Sequence, residues 1–182
     1  MRNYPVFILL AVLLMSLSCK NEKAAVATQG AVVEQQEFPT SRSEIFKTVS
    51  EIKAIQDTLK ERGPITVAKE DGNVEVTAYI QATFPVIIHA QYPKKEEWFY
   101  LQNRQVIMLQ EVVYAENGGG IEERQFFYTQ EEVLESRGRQ APSLDSLNRL
   151  SFEKLKLTKA EAGFQMDPVQ VNMKAINFLY GK

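Results

Sequence analysis

One imidazole, one thiol and three glutamate doublets are the groups in this 182-residue chain whose types and spacing could do chemistry. The imidazole is His89. With no second histidine and a single cysteine in the chain, it cannot assemble the nitrogen and sulfur ligands of a usual zinc site, so no metal is expected. A Ser-His-acid arrangement would need a serine that no G-x-S-x-G turn singles out. The doublets are Glu96-Glu97, Glu122-Glu123 and Glu131-Glu132. Carboxyls that cleave a glycosidic bond stand about 5 to 9.5 Å apart across a cleft, whereas neighbours in a strand point to opposite faces. The doublets therefore read as solvated strand ends and turns. Asn117-Gly118-Gly119-Gly120 lacks the Lys-Ser/Thr ending of a phosphate loop and reads as a hairpin loop. No catalytic residue and no cofactor follow from these groups. The aromatic residues say more: Trp98, Phe99, Tyr100, Tyr114, Phe126, Phe127 and Tyr128 fall in three successive strand-like segments. Alternation sends Trp98 and Tyr100 to one face, Phe99 and Leu101 to the other. Helices on one face only would leave rings near solvent, where aromatic clusters mark binding surfaces. Trp98, Tyr100, Tyr114 and Phe127 are the candidates for such a surface; packing on both faces is the competing reading.

Cys19 has a different setting. Residues 1–18 carry one cation at Arg2, an apolar stretch over 6–15 and small residues at Ser16 and Ser18, the parts of a secretory signal. The apolar stretch is too short to span a bilayer, which takes roughly 20 residues. The run LLMSLSCK resembles the bacterial lipoprotein signal, in which the cysteine thiol receives diacylglycerol, the leader is cut before it and the new amine is acylated. The family usually has leucine three residues before the cysteine, where this chain has Ser16; Ser18 supplies the small side chain at the cut. The resemblance implies lipidation at Cys19 and a membrane as first partner. Lys20 stands where an aspartate would resemble an inner-membrane retention signal, which implies the outer membrane. The chain has 23 acidic and 21 basic side chains, and cleavage removes Arg2, so nucleic acid, which needs a clustered positive face, is not an expected partner.

The elements that must position these residues follow in order. Residues 20–39 are small, polar and without period, a tether behind the lipid. Ser41-x-x-Glu44 has capping-box spacing, followed by Ile45, Val49, Ile52, Ile55 and Leu59 at steps of four and three, one stripe of an amphipathic helix that Gly63-Pro64 should stop. The period then changes to two, with strands expected at 66–69, 74–81, 84–92, 97–101, 105–114, 121–128 and 132–136, linked too briefly for parallel pairing. Two hairpins look alike at an offset of 27 residues: Phe99-Tyr100-Leu101 before Val106-Ile107, and Phe126-Phe127-Tyr128 before Val133-Leu134. Beyond Pro142 the pattern is helical again, and Asp167-Pro168 opens a last helix with a stripe of Val169, Met173, Ile176 and Tyr180; the alternation of Val169, Val171 and Met173 also permits a strand.

This middle stretch, with its run Glu122-Glu123-Arg124-Gln125-Phe126-Phe127, loosely resembles small uncharacterised envelope lipoproteins with a leading helix and paired β-hairpins, from which it departs in lacking glycine in the turns at 102–105 and 129–132. The expectation is an α+β fold: an N-terminal amphipathic helix packed on an antiparallel meander sheet, with short C-terminal helices. It comprises a signal peptide at 1–18, a lipidated cysteine and tether at 19–39 and one domain at 40–182, helical from about 143. The expected role is a lipid-anchored envelope module without a catalytic site, binding an envelope protein, glycan or peptide or serving as a structural accessory. The alternatives are an inhibitor that inserts the loop at 116–120 into a hydrolase, and a carboxylate- or His89-based hydrolase.

Overall fold

Links of two to six residues join β1 through β7 in the chain, and a parallel return would take a dozen or more. The computed structural model describes residues 37–70, 72–116, 119–157, 161 and 163–181, all in one compact unit. Its strands are β1 Lys60–Lys69, β2 Gly72–Gln81, β3 Phe84–Gln91, β4 Lys95–Gln102, β5 Gln105–Tyr114, β6 Ile121–Tyr128, β7 Val133–Ala141 and β8 Glu153–Leu155. They pair in chain order as a single antiparallel sheet. The α-helices are α1 Arg42–Ala54, α2 Leu144–Leu147 and α3 Pro168–Leu179, with 3-10 turns at Gln56–Thr58 and Gly163–Met166. The leader, Cys19, most of the tether and Asn117-Gly118 of the hairpin loop lie outside the described residues.

Turn chemistry fixes the registers. Between paired Gln102 and Gln105, Asn103 and Arg104 both take positive φ, 51° and 67°, the backbone of a primed hairpin turn made without glycine. One extra residue then enters each of three hairpins at the same place. Tyr79 faces Ile87 and Ile80 faces Pro85, leaving Val86 over. Tyr100 faces Met108 and Leu101 faces Val106, leaving Ile107. Phe127 faces Glu135 and Tyr128 faces Val133, leaving Leu134. The resemblance between the last two hairpins is thus a structural repeat with a third copy before it, and each bulge adds local twist.

Helices cover both faces. On one, Val171, Ala175 and Phe178 of α3 pack on Val67, Val76, Ile88, Phe99, Leu109 and Phe126. On the other, Ile45, Val49 and Ile52 of α1 pack on Ile87, Tyr100, Ile107, Met108 and Phe127. Ser41 caps α1 and Glu44 closes the box. Burial of each such side chain contributes about 1.5–3 kcal/mol.

The α+β expectation is corrected by this architecture. Among the described residues the strands hold more than twice as many residues as the α-helices, and one eight-stranded sheet organises the molecule. The stretch from 143 onward is not uniformly helical: it supplies β8 to the sheet edge beside β7. Gly63-Pro64 lies inside β1, at a register shift between Arg62 and Ile65. Gly63 has φ 126°, and a Cβ there would come 2.6 Å from the Val76 carbonyl oxygen, so this glycine serves a bulge and a close approach of strands. The stripe of the last helix is corrected too. Val171, Ala175 and Phe178 are buried, whereas Val169, Met173, Ile176 and Tyr180 face outward.

Candidate functional site

The bulged ends of the strands hold α1, so toward the opposite ends the same face is less covered, with Trp98 packed against the edge of the α1 core. Trp98 on β4 stands directly opposite His89 on β3. Their rings stack with centroids 3.7 Å apart and planes 13° from parallel. Glu96 precedes Trp98 by two residues and therefore shares its face. Its Oε2 accepts from the Trp98 indole N–H at 3.3 Å and lies 3.3 Å from His89 Nε2. Its Oε1 accepts from the Tyr114 hydroxyl at 2.8 Å. One carboxylate thus ties together side chains from β3, β4 and β5.

The strip continues toward β7. Gln110 faces Trp98 across β4 and β5, accepts from Lys53 of α1 at 3.3 Å and donates to Glu123 Oε1 at 2.7 Å. Glu123 Oε2 accepts from Arg139 Nε at 2.7 Å. The Arg139 guanidinium also donates to the Leu150 carbonyl and lies 4.3 Å from the Phe152 ring centre. The result is a band of rings, amides and fixed charges across five strands, in which Tyr114 is 37 % exposed and His89 and Glu96 keep 16 and 24 % of their side-chain surface.

Electrostatics define the states of these groups. Burial lowers the His89 pKa and Glu96 offsets only part of that, so near neutral pH the ring on Trp98 is an uncharged imidazole. The Tyr114 phenol is pushed up to about 12 by burial and by its bond to Glu96; it stays a hydrogen-bond donor.

On the opposite face a second polar cluster has another purpose. Glu97 of β4 faces Glu111 of β5, and the two are 0 and 2 % exposed. Glu97 Oε1 accepts from Lys95 and from Lys174 of α3, both at 2.7 Å, and Oε2 from the Tyr92 hydroxyl at 2.9 Å. Glu111 accepts from Gln165 at 2.8 Å, whose carbonyl accepts from Tyr128. Burial raises both carboxyls, but at Glu97 the two lysines outweigh it and hold the group below the usual carboxylate range. At Glu111 burial prevails and the pKa is raised. Burial also pulls the Lys174 ammonium down from its ordinary value, which starts so far above neutrality that we read the Lys174–Glu97 pair as charged. Carboxyls pushed apart in this way can divide acid and base roles. Both carboxyls are buried, and two of their partners, Lys174 and Gln165, lie on α3 and the turn before it, so the cluster fastens that helix to the sheet.

The four aromatic candidates therefore separate. Trp98 and Tyr114 are in the strip; Tyr100 and Phe127 are buried beneath α1. The sequence reading takes Glu96 and Glu123 for solvated strand-end acids, which the burial of Glu123 corrects, and it assigns no role to Gln110 or Arg139. Counting back two from Trp98 finds Glu96, but the others depend on cross-strand register. Each glutamate doublet at 96–97 and 122–123 splits between faces, Glu122 pairing with Arg124, and Glu131-Glu132 is exposed at its hairpin. Among the described residues no cluster of histidine and acids has metal-holding geometry, and no helix is long and apolar enough to cross a membrane. Compared with known proteins, the chain matches no family, no curated protein and no solved structure.

Proposed function

We propose that this chain is a lipid-anchored binding module of the bacterial cell envelope, attached through acylated Cys19 to the outer membrane and without catalytic activity of its own. Its partner is an envelope protein, peptide or glycan that lies along the strip from Tyr114 to Arg139. The observation that carries this reading is the Trp98–His89 stack held by Glu96 at the edge of the core beneath α1, half-buried rather than covered. A flat ring pair flanked by fixed donors and acceptors offers apolar contact and orientation together, the combination binding sites use. Preset side chains also lose little freedom on binding. The sequence around Cys19 supports the anchor, since a diacylglyceryl group with an added acyl chain holds a protein firmly where one chain gives only reversible attachment.

The test uses the lipidated protein as bait in detergent-solubilised envelopes. Wild type should retain a specific partner that the double variant Trp98→Ala with Tyr114→Ala loses, while circular dichroism and the urea midpoint show the variant folded. A partner retained by the folded double variant places recognition elsewhere. For the anchor, mass spectrometry of the membrane fraction should find the mature chain starting at a lipid-modified Cys19, and Cys19→Ser should release the domain or leave an uncleaved precursor.

A further inference from the structure

A cleft of about 280 Å³ opens on the α3 face of the sheet, where α3, the turn before it and β1 come together. Phe164 of the turn and Lys69 of β1 stand across from Gln170, Met173, Lys174 and Asn177 of α3, with the buried ring of Phe178 behind them. Two cations line the cleft, and no acid does among the described residues. Lys174 Nζ is 4.1 Å from the Phe164 ring centre and 5.9 Å from that of Phe178. Lys69 Nζ is 6.0 Å from the same Phe178 ring, so the two ammoniums are brought to one aromatic wall from different elements.

Charge at this place is not balanced from within. Glu97 Oε1 accepts from both Lys174 and Lys95, two cations on one carboxylate, while burial shifts Glu111 behind it toward the protonated form. An ammonium has three donors; Lys174 gives one to Glu97 and keeps 26 % of its side-chain surface. Lys69 is exposed and makes no salt bridge to a described residue. A surplus of positive charge therefore faces a cleft whose other walls are two phenylalanines and a methionine. An inorganic anion would satisfy the ammoniums and leave those walls without contacts; an uncharged apolar molecule would do the reverse. Only a ligand with a carboxylate at one end and an apolar body meets both. Its size follows from the volume: at about 30 Å³ for each water-sized unit, the cleft takes roughly nine or ten non-hydrogen atoms, just below the range of about 300–1,000 Å³ that holds larger ligands. We propose that this cleft binds a small apolar monocarboxylate, its carboxylate between the ammoniums of Lys69 and Lys174 and its carbon body against Phe164, Phe178 and Met173. The amides of Gln170 and Asn177 stand at the rim as further donors. The site is on the opposite face of the sheet from the Trp98 strip and independent of it.

The experiment uses the full chain in phosphatidylcholine nanodiscs, labelled with carbon-13 at the methionine methyls, and titrates it at pH 7 with phenylacetate, a probe of fitting size, and with phenylacetamide, its uncharged isostere. The Met173 methyl, assigned through Met173→Leu, should shift to saturation with a low-millimolar midpoint, as ordinary ligand efficiency gives for so few atoms. The Met108 methyl, buried under α1 on the other face, should stay still. Two half-exposed charge contacts, each contributing up to about fivefold, should make phenylacetate bind about tenfold more tightly than the amide. Lys69→Gln, a change at an exposed position that leaves the Glu97 cluster intact, should weaken phenylacetate about threefold, and Lys69→Arg should restore most of that. A Met173 signal that does not saturate by about 50 mM, equal binding of acid and amide, or unchanged binding by the folded Lys69→Gln variant would each overturn the site.

Discussion

Replacing Phe127 by alanine separates the core from the binding strip, which the sequence placed together. Phe127 is fully buried, its ring centre lies 5.1 Å from that of Phe46 on α1 at a 41° tilt, and it packs among Ile45, Val49, Ile52, Tyr100 and Met108. Truncating a buried phenylalanine costs about 3–5 kcal/mol through lost transfer energy and the cavity left behind. The site is flanked on one side by a helix and on the other by a hydrogen-bonded sheet, neither of which can collapse far, so we expect about 4 kcal/mol. Against a total of about 5–15 kcal/mol, that is a large share of the stability. At about 3 °C per kcal/mol for a domain of this size, the melting temperature should fall by about 12 °C. Urea unfolding followed by the fluorescence of Trp98, the single tryptophan, measures the loss. Tyr114→Ala at the exposed end of the strip should stay within about 1 kcal/mol of wild type. A double-mutant cycle of Phe127→Ala with Phe46→Leu should return a coupling of about 0.5–1.5 kcal/mol from the ring pair. A loss below about 1 kcal/mol for Phe127→Ala would refute the placement of α1 over this face.

Two further predictions concern titrating groups. Because the folded pKa of Glu111 is raised, the native state holds that proton to higher pH than the unfolded chain, so this group favours folding below the ordinary carboxyl pKa and ceases to do so as pH rises through the folded value; Glu111→Gln, which can still accept from Gln165, should therefore stabilise the protein at pH 7 and make little difference below about pH 4. Urea midpoints across that range check it, and a variant less stable at pH 7 contradicts it. His89 gives the only imidazole signal in a proton spectrum, and its midpoint should lie below the ordinary value of about 6.5, with Glu96→Gln moving it lower still. Because its folded pKa is depressed, the stability it contributes is present above the ordinary value and declines as pH falls through the folded one; a midpoint at or above 6.5 would show that Glu96, not burial, governs the ring.

Local rules determine much of the sheet. Strands β5 and β6 run over the residues where alternation places them, and the same period of two puts Phe99 and Leu101 on the α3 face and Trp98 and Tyr100 on the α1 face. The Asp167 cap and Pro168 start α3 for reasons contained within one turn. Period alone could not choose between two apolar rows of that helix, because Val169, Met173, Ile176 and Tyr180 repeat as regularly as Val171, Ala175 and Phe178; the Lys174–Glu97 bond and the fit of Phe178 against Phe99 select the buried one. Likewise, nothing near Gly63-Pro64 distinguishes a helix stop from a bulge until Val76 is brought against it, and β8 is a strand of three residues only because β7 offers it an edge. The pairing of Glu97 with Glu111, and of Glu96 with Tyr114, joins residues 14 and 18 positions apart in sequence through strand register. Capping, turns and alternation act over a few bonds and are written in neighbouring residues. Register, helix orientation and the choice of covered surface are set by competition among distant groups for the same space, which only the assembled sheet resolves.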